Sequence, residues 1–345
     1  MAPAKSSVQG NVDLSAILNM VGDFATIRKT VRHLCSQTIR DRLEIVIVTT
    51  PGNVPLGLNS FLERVGAWQV VTIPKMPTSG AGWAAGIRQA RAPVIVLCED
   101  HSFPEPGWAD ALLHTHQEHC AAVAPAVSNA NPRSLISWAN FLLCFLDWYS
   151  PEHSGPVPAG PGHNTSYKRS VLLEYQDLED WLSSERVLHF DFAAKGLTIL
   201  LNTRAATHHV NISRPGSYLA QSFLGGRLFG GSRSANWPRM KTAIYALAFP
   251  LAPAIRLSRM LKALNTRGKR QESRFVAAFP WILAGLVCHA LGEALGYVSG
   301  VGNARQRYVD FEARRSEHVN QRDRWILADS LPDDAETFRE FPAKV

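Results

Sequence analysis

Cysteine is scarce and unpaired in this sequence. The 345 residues include five cysteines, and no two of them have a C-x-x-C spacing: Cys35, Cys98, Cys120, Cys144 and Cys288. The odd number and the wide separation argue against a disulfide framework and against a zinc or dithiol redox site. A reducing compartment is therefore expected.

The start of the chain lacks an apolar run. The first twenty residues contain one lysine and reach the polar residues 10–13 without a sustained apolar stretch, so we expect no secretory signal peptide and a cytoplasmic protein. Internal repeats and low-complexity tracts are also missing. The hydrophobic content of 46% is sufficient for one large or two modest globular domains.

Acidic residues are almost missing from residues 204–274. This segment has thirteen lysines and arginines against the single acid Glu272, whereas the whole chain has a net charge of +7. The basic character therefore belongs to one part of the chain. Such a segment is expected to meet an anionic partner: phosphate, lipid headgroups or nucleic acid.

The first two hundred residues alternate short aliphatic runs with stretches of helical period. This alternation predicts an α/β domain with a mostly parallel sheet covered by helices. The expected strands are residues 14–19, 43–49, 69–73, 93–98, 121–127, 197–201 and 205–209, and the expected helices are residues 24–36, 83–92, 108–119 and 178–195. Residues 151–162, rich in proline and glycine, are expected to form a loop.

Two later stretches indicate helices at a membrane surface. In residues 254–264, helical spacing predicts an apolar face opposite a basic face made of Arg256, Arg259 and Lys262, which suits an anionic bilayer surface. The alternative is an ordinary surface helix with a solvated basic face. Residues 276–292 are strongly apolar but slightly short for a span, which favours an interfacial or re-entrant hairpin over a true span, with a tightly packed core helix as the alternative. A buried pair is expected for His289 and Glu293, which are four residues apart.

The most informative motif follows the apolar strand at residues 94–98. Glu99, Asp100 and His101 come directly after it, at the strand end where ligands of open α/β sheets collect. Alternate residues of an extended segment point to the same side, so Glu99 and His101 can hold one divalent ion while Asp100 faces elsewhere or bonds to a sugar. A cation there suits the phosphates of a nucleotide diphosphate.

Further features surround this motif in a recognisable order. They are Gln37-Thr38 after the first helix, Gly80, Gly82 and Gly86 before the motif, Pro104 and Pro106-Gly107-Trp108 after it, the turn Gly162-His163-Asn164 leading to Lys168-Arg169, Lys195-Gly196 and His209. This order resembles the family 2 glycosyltransferases over roughly residues 12–211. The resemblance implies a GT-A fold, a Rossmann-like mostly parallel sheet flanked by helices.

The resemblance also implies an activity and its residues. We expect inverting transfer of a sugar from a nucleotide-diphosphate donor to a glycan or lipid-linked acceptor, as in polysaccharide biosynthesis, with Mn²⁺ or Mg²⁺ holding the diphosphate. It implies Glu185 as the general base, with Glu179 or Asp180 as alternatives. It implies Glu99, His101 and His209 as metal ligands, with His208 competing for the last place, and donor contacts from Asp100, Asn164, Gly80 and Thr49.

The sequence departs from the family where members usually hold the base and ribose. Met20-Val21-Gly22 and Thr49-Thr50 stand in place of an asparagine motif and of acids, so a uracil nucleotide is not indicated. A catalytically degenerate homologue and a nucleotidylyltransferase-like enzyme stay open as alternatives, and nucleic-acid binding by the basic segment is a third.

The change in composition along the chain predicts three regions. We expect a catalytic domain at 1–213, a basic and apolar helical region at 214–310 and a charged tail at 311–345. We also expect the enzyme to be held peripherally or by a hairpin at the cytoplasmic face of the inner membrane.

Overall fold

The chain forms two compact units. The computed structural model describes residues 6–8, 11–54, 62–149, 153–265 and 269–328. The first unit comprises residues 1–130, 153–209 and 325–345, and the second comprises residues 131–152 and 210–324. The three-part division expected from the sequence stays a prediction, and residues 329–345 of the expected tail and residues 151–152 of the expected loop lie outside the described residues.

The first unit contains a mixed sheet with a parallel centre. Its strands run in the order β1-β4-β3-β2-β5-β9-β7-β10-β6, and β8 pairs with β10. The pairs formed among β2, β3, β4 and β5 are parallel, as is β7 with β10. The strands are β1 (Ser6–Val8), β2 (Leu14–Asn19), β3 (Leu43–Thr49), β4 (Ala67–Thr72), β5 (Val94–Cys98), β6 (Ser102–Pro104), β7 (Ala122–Asn129), β8 (Gly155–Val157), β9 (Ser166–Lys168) and β10 (Ile199–His209). This is the α/β architecture expected from the sequence.

The central strands form because their sequences are apolar on both faces. Every residue of β3 and of β5 is buried, which is typical of a parallel strand covered by helices on both sides. Glu44 of β3 is tolerated there because its carboxylate accepts hydrogen bonds from Gln69 and from the backbone of Arg91.

The helices of both units follow in chain order. They are α1 (Phe24–Cys35), α2 (Ser79–Gln89), α3 (Trp108–Thr115), α4 (Leu135–Phe145), α5 (Arg169–Leu173), α6 (Leu178–Leu182), α7 (Glu185–Ala194), α8 (Pro215–Arg233), α9 (Arg239–Leu247), α10 (Ala252–Asn265), α11 (Lys269–Ser299), α12 (Ala304–Ala313), α13 (Arg315–His318) and α14 (Arg324–Leu327). Of these, α4 and α8–α13 belong to the second unit.

Three sequence-based elements require correction. The helix expected at residues 83–92 begins at Ser79, because the Thr78 side chain caps it by accepting a hydrogen bond from the Ala81 N–H. The single helix expected at residues 178–195 is two helices, with non-helical backbone at Ser184 (φ −153°, ψ 73°) between them. The two strands expected near the end of the sheet are one strand, β10, with a bulge between Asn202 and Ala206.

The second unit is helical, and its longest helix is strongly apolar. The hairpin expected at residues 276–292 is not formed, because these residues lie within the single helix α11. Residues 272–299 of α11 are long and apolar enough to cross a membrane, and α9 with residues 249–264 forms a pair, bent by 47°, that passes the same test. Arg256 of the expected basic face pairs with an acid, since its guanidinium lies 3.2 Å from the Glu293 carboxylate of α11. His289 lies 3.8 Å from that carboxylate, so the spacing correctly placed the two residues together, although the His289 side chain is 23% exposed.

Candidate active site

The site begins where β5 ends. After Cys98, the chain passes through Glu99, Asp100 and His101 and enters the short strand β6, which pairs antiparallel with the last residues of β10. In that register Ser102 lies opposite His209. His101, which precedes β6, and His209, which ends β10, are therefore brought together. Their ring centroids are 4.8 Å apart.

Glu99, His101 and His209 form one buried group. The Nε2 atom of His101 lies 3.6 Å from Glu99 Oε1, and the Nε2 atom of His209 lies 3.5 Å from Glu99 Oε2. One ligand atom from each of the three residues lies within 4.8 Å of the others, and all three side chains are buried. The structure thus brings together the three residues named as metal ligands from the sequence.

The backbone and neighbouring side chains fix this group. The Asp100 carboxylate lies 2.5 Å from His101 Nδ1, so an Nδ1–H donated to it leaves Nε2 directed toward Glu99. This carboxylate–imidazole arrangement is the usual support of a metal-bound histidine. Asn164 donates from Nδ2 to Glu99 Oε2 at 3.1 Å, and the Thr30 hydroxyl of α1 donates to the Glu99 carbonyl.

The arrangement fits a divalent cation. Two ligands of one ion lie roughly 3 to 3.6 Å apart when their bonds are about 2.1 Å long, and the measured separations of 3.5 and 3.6 Å fall at the upper end of this range. One carboxylate and two imidazoles form a mixed oxygen and nitrogen donor set, which suits a transition-metal ion. Glu99, His101 and His209 are therefore a group that could hold a divalent metal.

A left-handed turn adds a residue, His163, for which the sequence predicted no role of its own. Gly162 and Asn164 have φ values of +85° and +66°, and His163 between them reaches two carboxylates. Its Nε2 lies 3.6 Å from Glu99 Oε1, and its Nδ1 lies 3.1 Å from Glu185 Oε1. The Trp83 ring packs against it at 4.7 Å between centroids. The only sequence signal for this role is the position of His163 within the glycine-asparagine turn.

Glu185 lies at the first position of α7 and is largely buried. The exposed N–H groups of a helix N-terminus favour a negative charge at this position. One helical turn later, His189 Nε2 lies 2.9 Å from the Tyr167 hydroxyl. Burial lowers the pKa of His189 to about 3, and burial together with the Glu185 charge raises the pKa of Tyr167. This pair is therefore uncharged at neutral pH.

The alternative metal ligand and the alternative general bases have other surroundings. His208, one residue earlier on β10, has its Nε2 3.2 Å from Glu105 Oε1 instead of near Glu99. The alternative bases Glu179 and Asp180 are exposed on α6, whereas Glu185 faces His163. The helix break at Ser184 separates these two sets of acids.

Two of the expected donor-binding residues have packing contacts. The Thr49 hydroxyl is buried and donates to the Met20 carbonyl at 2.9 Å. Gly80 lies against α6, where an added Cβ would come within 2.2 Å of the Glu179 carbonyl oxygen. Their role in donor binding stays a prediction.

Comparison with known proteins places the chain in a wider context. Residues 15–175 match the family model described as Glycosyl transferase family 2. The chain is similar to S. aureus TarS at 12% identity and a TM-score of 0.42. The matched region covers 82% of this chain and 55% of TarS. It is also similar to the mannosyltransferase PcManGT from Pyrobaculum calidifontis, solved in complex with GDP-Man and Mn²⁺, at 14% identity and a TM-score of 0.48, covering 82% of this chain and 87% of that one. The chain thus spans little more than half the length of TarS, and a search of the curated proteins found no match.

Proposed function

We propose that this chain, whose residues 15–175 match the family model described as Glycosyl transferase family 2, is a glycosyltransferase that moves a sugar, with inversion, from a nucleotide-diphosphate donor to a hydroxyl of a glycan or lipid-linked acceptor. The observation that carries the proposal is the buried group of Glu99, His101 and His209 at the carboxyl end of β5. This end of a parallel sheet is where such folds bind nucleotides.

Glu99, His101 and His209 would hold the metal ion. A bound divalent cation supplies charge neutralisation for the departing diphosphate. Because two of the three ligands are imidazoles, this donor set favours Mn²⁺ over Mg²⁺, which prefers oxygen ligands. Asp100 and Asn164 orient two of these ligands by their hydrogen bonds.

Glu185 is the proposed general base. In an inverting transfer, the acceptor hydroxyl oxygen forms a bond to the anomeric carbon while the bond from that carbon to the diphosphate oxygen breaks. The hydroxyl proton goes to the Glu185 carboxylate, and the nucleoside diphosphate leaves with the bonding electron pair. His163, which lies between Glu185 and Glu99, keeps the base and the metal group at a fixed separation.

The test is a panel of nucleotide sugars, screened by thermal shift with and without Mn²⁺. We expect one donor class to raise the melting temperature only in the presence of the metal, and Glu185→Gln to keep that shift while losing transfer. No stabilisation by any nucleotide sugar would count against the proposal. Release of pyrophosphate would instead identify a nucleotidylyltransferase.

A further inference from the structure

The second unit carries an apolar surface that the proposed chemistry does not use. Nineteen large hydrophobic residues are exposed in the described part of the chain, and fourteen of them lie between Met240 and Val298. They belong to α9, to residues 249–264 and to α11. A contiguous exposed apolar surface of this kind marks a binding surface.

The exposed residues of α11 form one continuous stripe. Their side chains are 37% to 75% exposed and recur every three or four residues: Val276, Phe279, Leu283, Val287, Leu291, Leu295 and Val298. At about 1.5 Å per residue, the stripe is roughly 33 Å long. Helical residues at this spacing share a single face.

The opposite face of α11 packs against α8. A Cβ added at Gly226 of α8 would lie 2.0 Å from the His289 carbonyl oxygen, and one added at Gly292 would lie 1.9 Å from the Phe223 carbonyl oxygen. The two backbones therefore approach closely through glycines, a mode of packing typical of helix pairs in lipid. The exposed apolar stripe is therefore not the face by which α11 packs against the rest of the unit.

The neighbouring helices add further apolar residues and positive charge. Met240, Ile244 and Leu247 of α9 are 58% to 80% exposed. All five charged residues of α9 and α10 are basic, and four of them are exposed: Arg239, Lys241, Arg259 and Lys262, with Arg256 paired to Glu293. A second copy of the chain would present the same positive charges to this surface, whereas anionic lipid headgroups would neutralise them.

We propose that the exposed apolar residues of α9, α10 and α11, with the four exposed basic residues, form a docking surface for an anionic phospholipid bilayer. The apolar side chains lie at the boundary between headgroups and acyl chains, and the basic side chains meet the headgroups. In this arrangement one face of α11 contacts lipid while the other contacts α8. The proposal goes beyond the glycosyl transfer and does not depend on it.

Flotation with lipid vesicles tests the surface. The full chain is mixed with vesicles of phosphatidylcholine alone or of phosphatidylcholine with phosphatidylglycerol. We expect binding to the anionic vesicles that weakens as salt is added. The variant Leu283→Glu/Leu291→Glu should bind at least about tenfold more weakly, since it places two charges in the apolar layer. Arg259→Glu/Lys262→Glu should lose the preference for anionic lipid.

The chain offers a matched control in the first unit. Leu173 and Phe190 are 42% and 45% exposed, against 43% and 45% for Leu283 and Leu291. The variant Leu173→Glu/Phe190→Glu adds the same two charges and should float like the wild type. Equal binding of the α11 variant and the control would overturn the proposal. So would a wild-type chain that ignores vesicles but forms a dimer that Leu283→Glu/Leu291→Glu dissociates.

A second measurement covers the case in which the charged variant does not fold. Leu283→Cys, in a background with Cys144→Ser and Cys288→Ser, carries an environment-sensitive fluorophore on the stripe, and Leu173→Cys carries the same label on the first unit. Anionic vesicles should shift the emission of the first label to shorter wavelength and leave the second unchanged. Identical responses from the two labels would contradict the proposal.

Discussion

Replacing His209 by alanine tests the metal group directly. The variant removes the Nε2 atom that lies 3.5 Å from Glu99 Oε2 and leaves two ligands, Glu99 and His101. The adjacent His208→Ala is a matched control, because it removes the same side chain from the same strand. His208 points toward Glu105 at 3.2 Å and not toward the group.

The expected size of the effect follows from ligand loss. Loss of an outer partner of a metal ligand typically weakens metal binding by about 10- to 100-fold, so loss of a ligand itself should cost at least about 100-fold. At a Mn²⁺ concentration about 100 times the wild-type dissociation constant, binding stabilises the folded wild type by about 2.7 kcal/mol and the variant by only about 0.4 kcal/mol. With an unfolding entropy of about 2.1 cal/mol/K per residue, a chain of 345 residues gains about 4 °C in the wild type and under about 1 °C in the variant.

The assay is a thermal melt recorded during a Mn²⁺ titration of the wild type and both variants. His208→Ala should respond like the wild type, and melts without metal show whether each variant is folded. The reasoning is refuted if His209→Ala keeps the full Mn²⁺ response, or if the two variants lose it equally.

Three further predictions concern the first unit. Glu185→Gln should lower kcat by about 10²- to 10⁴-fold, the usual worth of a general base, while calorimetry still detects Mn²⁺-dependent nucleotide binding; wild-type turnover would remove Glu185 from that role. His163→Ala should lower kcat by about 10- to 100-fold at an unchanged melting temperature, and an unaffected kcat would exclude a positioning role. Burial lowers the pKa of three histidines to about 3: His33, His116 and His189. Because the unfolded chain binds these protons more readily, each of these three histidines should lower stability by about 1.4 kcal/mol between about pH 7.5 and about pH 5.5. His116→Gln should remove about 1.4 kcal/mol of the fall measured in denaturant titrations, and an equal reduction by the exposed His119→Gln would contradict the assignment.

The strands were the most predictable part of the fold. The expected bounds at residues 14–19 and 43–49 are those of β2 and β3. A strand that is apolar on both faces must be covered on both sides, so these continuous aliphatic runs predict buried central strands. The motif at Glu99 was recognisable for the same reason, since it ends such a run abruptly.

The helices near the site were less predictable. Apolar residues continue at helical spacing from Leu178 to Phe192, and nothing in that pattern marks a break at Ser184. The break nevertheless places Glu185 at a helix N-terminus and beside His163. The role of His163 could not be predicted, because a single histidine in a turn has no periodicity that reports its partners.

The sequence by itself determined the α/β architecture, the carboxylate and imidazole that follow β5 and the concentration of positive charge in residues 204–274. These are local properties, set by residue type and spacing. Only the tertiary structure decided that His209 and not His208 joins Glu99, because a shift of one residue in the pairing of β6 with β10 would exchange their faces. The approach of the turn at His163 to Glu185 likewise depends on contacts between distant segments, which the pattern of either segment alone does not contain.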